Sequence, residues 1–348
     1  MEQVRKIDSK LNSIELLRIL GVVLILVFHA FYIIDRAHTI YPYCRMCWVF
    51  VECFFIIAGF FLPNILIKRT NFKDFAVTRI IRLFPVVFFV TVFANIFHFH
   101  KHFYEILPDF FLLSNIGLKS SQVALLGACW FLFVLFWCSC FYCCLLNIIK
   151  DKLKFNFTVA LIIYFALVMF TNGGGIQNDN AYYIFNNGIL RGFISIGIGI
   201  LVRLNFYNPE SIKSLKNKIF FTILELFLFF YLIINLTCIK YIEAPRSMVL
   251  YIFLFALLII CFVNNAGYFS KVLNKVNLYP ISKYSFSIYV MQNIPWVFLH
   301  SSQQISGYTY VTLFVISSVI LGIIAYHAIE VPCRKLYKNS TVGGGPLL

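Results

Sequence analysis

Charge is scarce in this 348-residue chain: only 12% of it is Asp, Glu, Lys or Arg, and the acidic residues number 14. A soluble domain carries about twice that charged fraction, so the chain is not expected to build a water-facing shell or a separate soluble domain. Paired metal-ligand spacing is missing as well. Cys44 and Cys47 have no second ligand pair nearby, and His98, His100 and His102 alternate onto opposite helix faces, so no metal is expected. Most of the other cysteines lie in or beside apolar stretches and read as small hydrophobes, without a disulfide pattern. No nucleic-acid-binding module is visible, which excludes the simplest use of a +15 charge. No internal repeat is evident, which weakens an inverted-repeat transporter. The stretch from Arg5 to Lys10 precedes a long apolar run without a small-residue cleavage site, so a cleaved signal peptide is not expected.

What is present is apolar: 61% hydrophobic residues, 19% aromatics and a mean hydropathy of +0.85. Ten stretches, 14–34, 46–67, 80–98, 125–149, 155–172, 188–202, 219–238, 247–266, 284–300 and 308–329, are long enough for, or close to, a membrane-spanning helix. The fold class expected is therefore an all-α polytopic membrane protein of about ten transmembrane helices. Residues 1–338 read as one integral-membrane domain, and 339–348 as a disordered tail or expression remnant. All but seven of the 29 Lys and Arg fall in the segments that become cytoplasmic if Met1 is cytoplasmic. The exceptions are Arg36, Arg45, Lys101, Lys119, Arg191, Lys240 and Arg246. This positive-inside bias with an even span number puts both termini in the cytoplasm.

Two ionisable groups stand inside the first apolar run, Arg18 and His29. Their spacing is three helical turns to within about 20°, so they share one face, roughly 16 Å apart along the helix. Such groups are costly in hydrocarbon and mark a path, a site or a buried pair. Glu15 stands three residues before Arg18 and is placed to offset its charge. Glu52, near the outer start of the next span, comes within about a turn of His29 in height if spans one and two form a hairpin. Imidazole and carboxylate would then pair as base and orienter, or Glu52 would contact an acceptor directly.

Residues 68–85 read as a short amphipathic helix ahead of span three, with Pro85 at the join. Arg79 and Arg82 form an i,i+3 fork that suits phosphate, and anionic lipid headgroups would satisfy it equally. Lys73 and Arg203 are further inner cations available to an anionic ligand, and Glu330 is placed to pair with an arginine. Residues 101–124 have room for a short surface helix, Asn95 and Glu225 are candidates to line the core, and the Gly- and Asn-rich segment 173–187 has groups to receive a hydroxylated ligand or simply to turn the chain.

Five short patterns resemble those of the acyltransferase-3 family of integral membrane acyltransferases. They are Arg18 with His29; Glu52–Cys53–Phe54–Phe55–Ile56–Ile57–Ala58–Gly59–Phe60; Arg79–Ile80–Ile81–Arg82–Leu83–Phe84–Pro85; Ile281–Ser282–Lys283–Tyr284–Ser285–Phe286–Ser287–Ile288–Tyr289; and Ile329–Glu330–Val331–Pro332. They occur in order over almost the whole chain. The resemblance implies transfer of an acyl group, most often acetyl, from cytoplasmic acyl-CoA to a hydroxyl of a surface polysaccharide or lipid-linked sugar in a bacterial inner membrane. It maps essential roles onto Arg18, His29, Arg79 and Arg82. The partners implied are acetyl-CoA, a glycan acceptor and membrane lipids, with a homo-oligomer left open. Ala58 departs from the family's serine. Gln292 stands where a histidine often follows, and it is given no acid–base role. A flippase or transporter of a glycan-linked lipid, using the same charges as a path, is the competing reading.

Overall fold

The computed structural model describes residues 11–34, 41–68, 72–111, 126–172, 186–209, 214–238, 247–300 and 307–340. All regular structure among them is helical. In hydrocarbon each backbone N–H and C=O must be satisfied within the segment, which for an open chain leaves the helix. Eight of these helices are long and apolar enough to cross a membrane. They are built on α1 (Asn12–Ile34), α3 (Phe50–Lys68, entered through the short α2, Tyr41–Cys44), α4 (Phe72–Ala94), α6 (Trp130–Ile148), α7 (Lys152–Asn172), α8 (Asn187–Leu201), α9 (Leu215–Thr237) and α15 (Gly307–Ala325). A π-helical turn at Tyr326–Glu330 joins α15 to α16 (Val331–Ser340). A further crossing is supplied if α10 (Ser247–Val263) and α11 (Tyr268–Lys275), bent by 66° to each other, count as one span.

Of the ten runs expected, 284–300 is the one that is not a single helix. After the short α12 (Tyr279–Ser282), it divides into α13 (Ser285–Met291) and α14 (Asn293–His300). Pro295 explains the break: it has no N–H for the Met291 carbonyl, and its ring crowds that oxygen. Pro85 behaves differently. No separate amphipathic helix ends there; α4 runs continuously from Phe72 to Ala94 with Pro85 inside it. Membrane helices tolerate such prolines where neighbouring groups satisfy the freed carbonyl. The expected surface helix forms as α5 (Phe103–Phe110), closed by His102 N–H donating to Glu105 Oε2 at 2.9 Å. Asn95 does not line the core. It clamps the turn before α5, accepting from Lys101 N at 2.9 Å and donating to Lys101 O at 3.0 Å.

The core is centred on α8, which packs against α3, α6 and α7. Its crossing with α3 is close because both helices present glycine. A Cβ at Gly59 would strike the Ile196 carbonyl, and one at Gly199 the Ile56 carbonyl. α1 lies against α3 and α15, and α13 against α15 and α4. Polar groups fasten the N-terminal end of α1 to α11: Asn274 Oδ1 accepts from Ser13 N at 2.7 Å, and Asn12 Nδ2 donates to Asn274 O at 3.1 Å. Glu225 of α9 is buried in the core, as its position in the run suggests. It accepts from Gly267 N at 2.9 Å, Ser270 N at 3.0 Å and Ser270 Oγ at 2.6 Å, and so caps α11 from outside.

Candidate active site

Arg18 and His29 of α1 are both partly open. The Arg18 side chain is 33% exposed and bonds Glu15 at 2.9 and 3.2 Å, the pairing the i,i+3 spacing anticipates. Its guanidinium also lies 5.4 Å from the centre of the Phe61 ring on α3. Three turns further, His29 is half-buried, and its Nδ1 lies 2.8 Å from Gln292 Oε1 at the α13–α14 break.

Glu52 does not meet His29. It is fully buried on α3 and is claimed by α8, where Arg191 Nε donates to Oε1 at 2.7 Å, Nη2 lies 2.6 Å from the same oxygen, and Ser195 Oγ donates to Oε2 at 2.6 Å. The Arg191 guanidinium is held between the rings of Trp48 and Trp130, at 4.7 and 4.5 Å from their centres. Arg191, which the charge pattern leaves outside the cytoplasmic segments, is a buried core residue of α8. A signal for the pair was present. Arg191 and Ser195 are i,i+4 at the head of an otherwise apolar helix, opposite a lone carboxylate that needs a counter-ion.

Arg18, Arg79, Arg82 and Arg334 do gather. Arg79 of α4 lies 5.3 Å over the Phe75 ring and within electrostatic reach of Arg18. Arg82 is exposed yet encircled by helices, and interacts with Arg334, Arg79 and Arg18 and with Glu330. Glu330 is buried, accepts from Ser287 Oγ at 2.6 Å, and forms the expected ion pair, its partner being Arg334. Four guanidiniums thus share two carboxylates, Glu15 and Glu330. Arg79 and Arg82 have no salt bridge among the described residues. Elements α1, α3, α4, α6 and α16 wall this cluster, since Arg79 also faces Cys140 and Cys143 of α6.

Lys73 is exposed in the first turn of α4. Arg203 belongs to a different seam: it is buried, donates from Nη2 to Asn64 Oδ1 at 2.8 Å, and lies 4.1 Å over the Tyr207 ring and 5.3 Å over that of Phe60. Most of the 173–187 segment lies outside the described residues. Asn186 is within them, and its Oδ1 accepts from Ile189 N at 2.9 Å as the N-cap of α8. All eleven cysteines are free thiols, and no cluster of three or more potential metal ligands occurs among the described residues.

A partly open histidine, set three helical turns from an under-neutralised arginine cluster, is chemistry for drawing an anionic carrier to one end and moving a proton at the other. The acyltransferase-3 family model, described as an acyltransferase domain, matches residues 11–327, and the chain belongs to that family. No curated protein and no solved structure matches it significantly. It is a multi-pass membrane acyltransferase, and its family implies an acyl-CoA donor.

Proposed function

We propose that the chain moves an acetyl group from cytoplasmic acetyl-CoA to a hydroxyl of a surface polysaccharide or its lipid-linked precursor, in a bacterial inner membrane with both termini on the cytoplasmic side. The observation that carries this reading is the excess of guanidinium over carboxylate at Arg18, Arg79, Arg82 and Arg334, with Arg18 three turns along one face of α1 from the half-open His29. Planar guanidiniums fork onto phosphate oxygens, and at the inner mouth they receive the donor's phosphates, with Lys73 adding charge at the rim. The roughly 16 Å rise from Arg18 to His29 is comparable to an extended pantetheine arm, so the thioester reaches the imidazole while the nucleotide stays in the cytoplasm.

His29 then takes the proton of the acceptor hydroxyl as its oxygen attacks the thioester carbonyl. The C–S bond breaks, and the departing thiolate receives the proton from the imidazolium. Such base catalysis contributes ~10²–10⁴-fold. Glu52 and Arg203 serve the reaction from a distance, by fixing α3 against α8. In liposomes given labelled acetyl-CoA and a glycolipid acceptor, H29A should lose on the order of 10²-fold or more of transfer. Transfer surviving H29A would overturn the reading. Glycolipid movement without acetyl-CoA and without covalent change would make the chain a transporter.

A further inference from the structure

Gln292 has a second bond, and that bond settles which way its amide faces. Its Nε2 donates to the Tyr289 carbonyl at 2.7 Å, one turn back, in the stretch where Pro295 interrupts the helix. Asn293 does the same to the Val290 carbonyl at 2.8 Å, so two consecutive side-chain amides occupy carbonyls that an unbroken helix would have used itself. A carbonyl only accepts. Turning the Gln292 amide over would set Oε1 against the Tyr289 oxygen, so the orientation is fixed with Oε1 towards His29. That oxygen in turn has no proton to offer, and the 2.8 Å contact requires one from Nδ1.

We propose that Gln292 is a positioning residue that holds neutral His29 as the Nδ1–H tautomer, leaving the Nε2 lone pair as the base directed at the acceptor hydroxyl. Glu52 was placed to do this by its depth, but its oxygens are committed to Arg191 and Ser195. An uncharged amide does the work instead. It selects the tautomer as a carboxylate would, without adding a charge beside an imidazole that must later bear one. The broken helix is where the amide stands: Gln292 lies between α13 and α14 and is anchored one turn back on the Tyr289 carbonyl. The catalytic consequence rests on the acyl-transfer reading; the tautomer does not.

The test therefore has two arms. In the full-length protein carrying ¹⁵N-labelled histidine, the His29 resonances should show a protonated Nδ1 and a bare Nε2, and in Q292L this signature should be lost. In acetyl transfer, Q292L should lower kcat on the order of 10²-fold with the KM for acetyl-CoA unchanged. Q292E still accepts from Nδ1 but adds a negative charge, so it should retain transfer and move the acidic limb of the kcat/KM profile upward by about one pH unit. A bare Nδ1 in the wild-type protein, or an unmoved limb in Q292E, would overturn the proposal. Should Q292L fail to fold, the Q292E profile and the wild-type spectrum still decide. The expected tautomer in a wild-type protein that transfers no acetyl group would sink the acyl-transfer reading and leave the Gln292–His29 geometry intact, whereas undiminished transfer by H29A would overturn the catalytic part of the proposal.

Discussion

Two ionic systems sit in this membrane domain, and they are built on opposite plans. In the α3–α8 seam, one arginine meets one carboxylate, a serine fills the second oxygen, and two tryptophan rings cover the guanidinium. The seam is balanced, buried and closed. Towards the N-terminal ends of α1 and α4, four arginines meet two carboxylates and part of their surface stays open. A desolvated charge that is fully answered stabilises or orients helices, and has nothing left to offer a ligand. An unanswered cation cluster costs stability through mutual repulsion and persists where something anionic completes it. Charge alone therefore does not mark the site; the imbalance does.

The sharpest way to break this comparison is at the closed pair. E52Q or R191M strands a buried partner and should cost about 3–5 kcal/mol, whereas the double change E52L/R191M should recover most of that loss. Thermal unfolding of the purified protein measures it, and equal losses in all three variants would make the seam something other than a pair. Next comes the open cluster. R79Q/R82Q should raise the KM for acetyl-CoA by about 10²-fold or more, as loss of charged hydrogen bonds at ~1.5–3 kcal/mol each requires. Stability should change little, and raising the salt should weaken donor binding less than it does in the wild-type protein. If that variant instead unfolds as E52Q does, the two systems are alike and the distinction fails; donor affinity that does not move would assign the fork to lipid headgroups. The smallest effect is expected for E15Q, which releases Arg18, itself a third exposed, from an adjacent carboxylate on the same helix. At most about 1 kcal/mol of stability should be lost, with donor KM falling up to about fivefold.

The cationic half of this arrangement was legible in the chain, and the identity of its distant partners was not. Arg18, Arg79, Arg82 and Glu330 could be placed because helical spacing and membrane depth are periodic properties of a linear string. Glu15 with Arg18 and Glu330 near an arginine are local pairs, three and four residues apart, and both occur. Long-range partners escape that reasoning. Glu52 and Arg191 are 139 positions apart, and depth alone left His29 as the nearer candidate. Gln292 differs from the histidine usual at this place in the family, and its position in the sequence alone gives it no role. What gives it a role is a helix break three residues before a proline, which turns an unremarkable amide towards α1. Pro85 shows the limit from the other side: the same residue type within an apolar run leaves α4 unbroken. Whether a proline interrupts a span depends on neighbours that satisfy the freed carbonyl, and neighbours are not written in order along the chain.

Glu225 carries a consequence for the order of synthesis. The 66° turn between α10 and α11 leaves the opening N–H groups of α11 without helical acceptors, midway along α9, where a carboxylate receives them. That elbow has no means of settling until α9 stands beside it. Translation delivers α9 first, so the template is waiting when the elbow emerges. Because α11 then grips Asn12 and Ser13 through Asn274, the earliest helix to enter the bilayer is tethered at its N-terminal end by one of the later ones. The bundle closes on itself only after most of the polypeptide has left the ribosome.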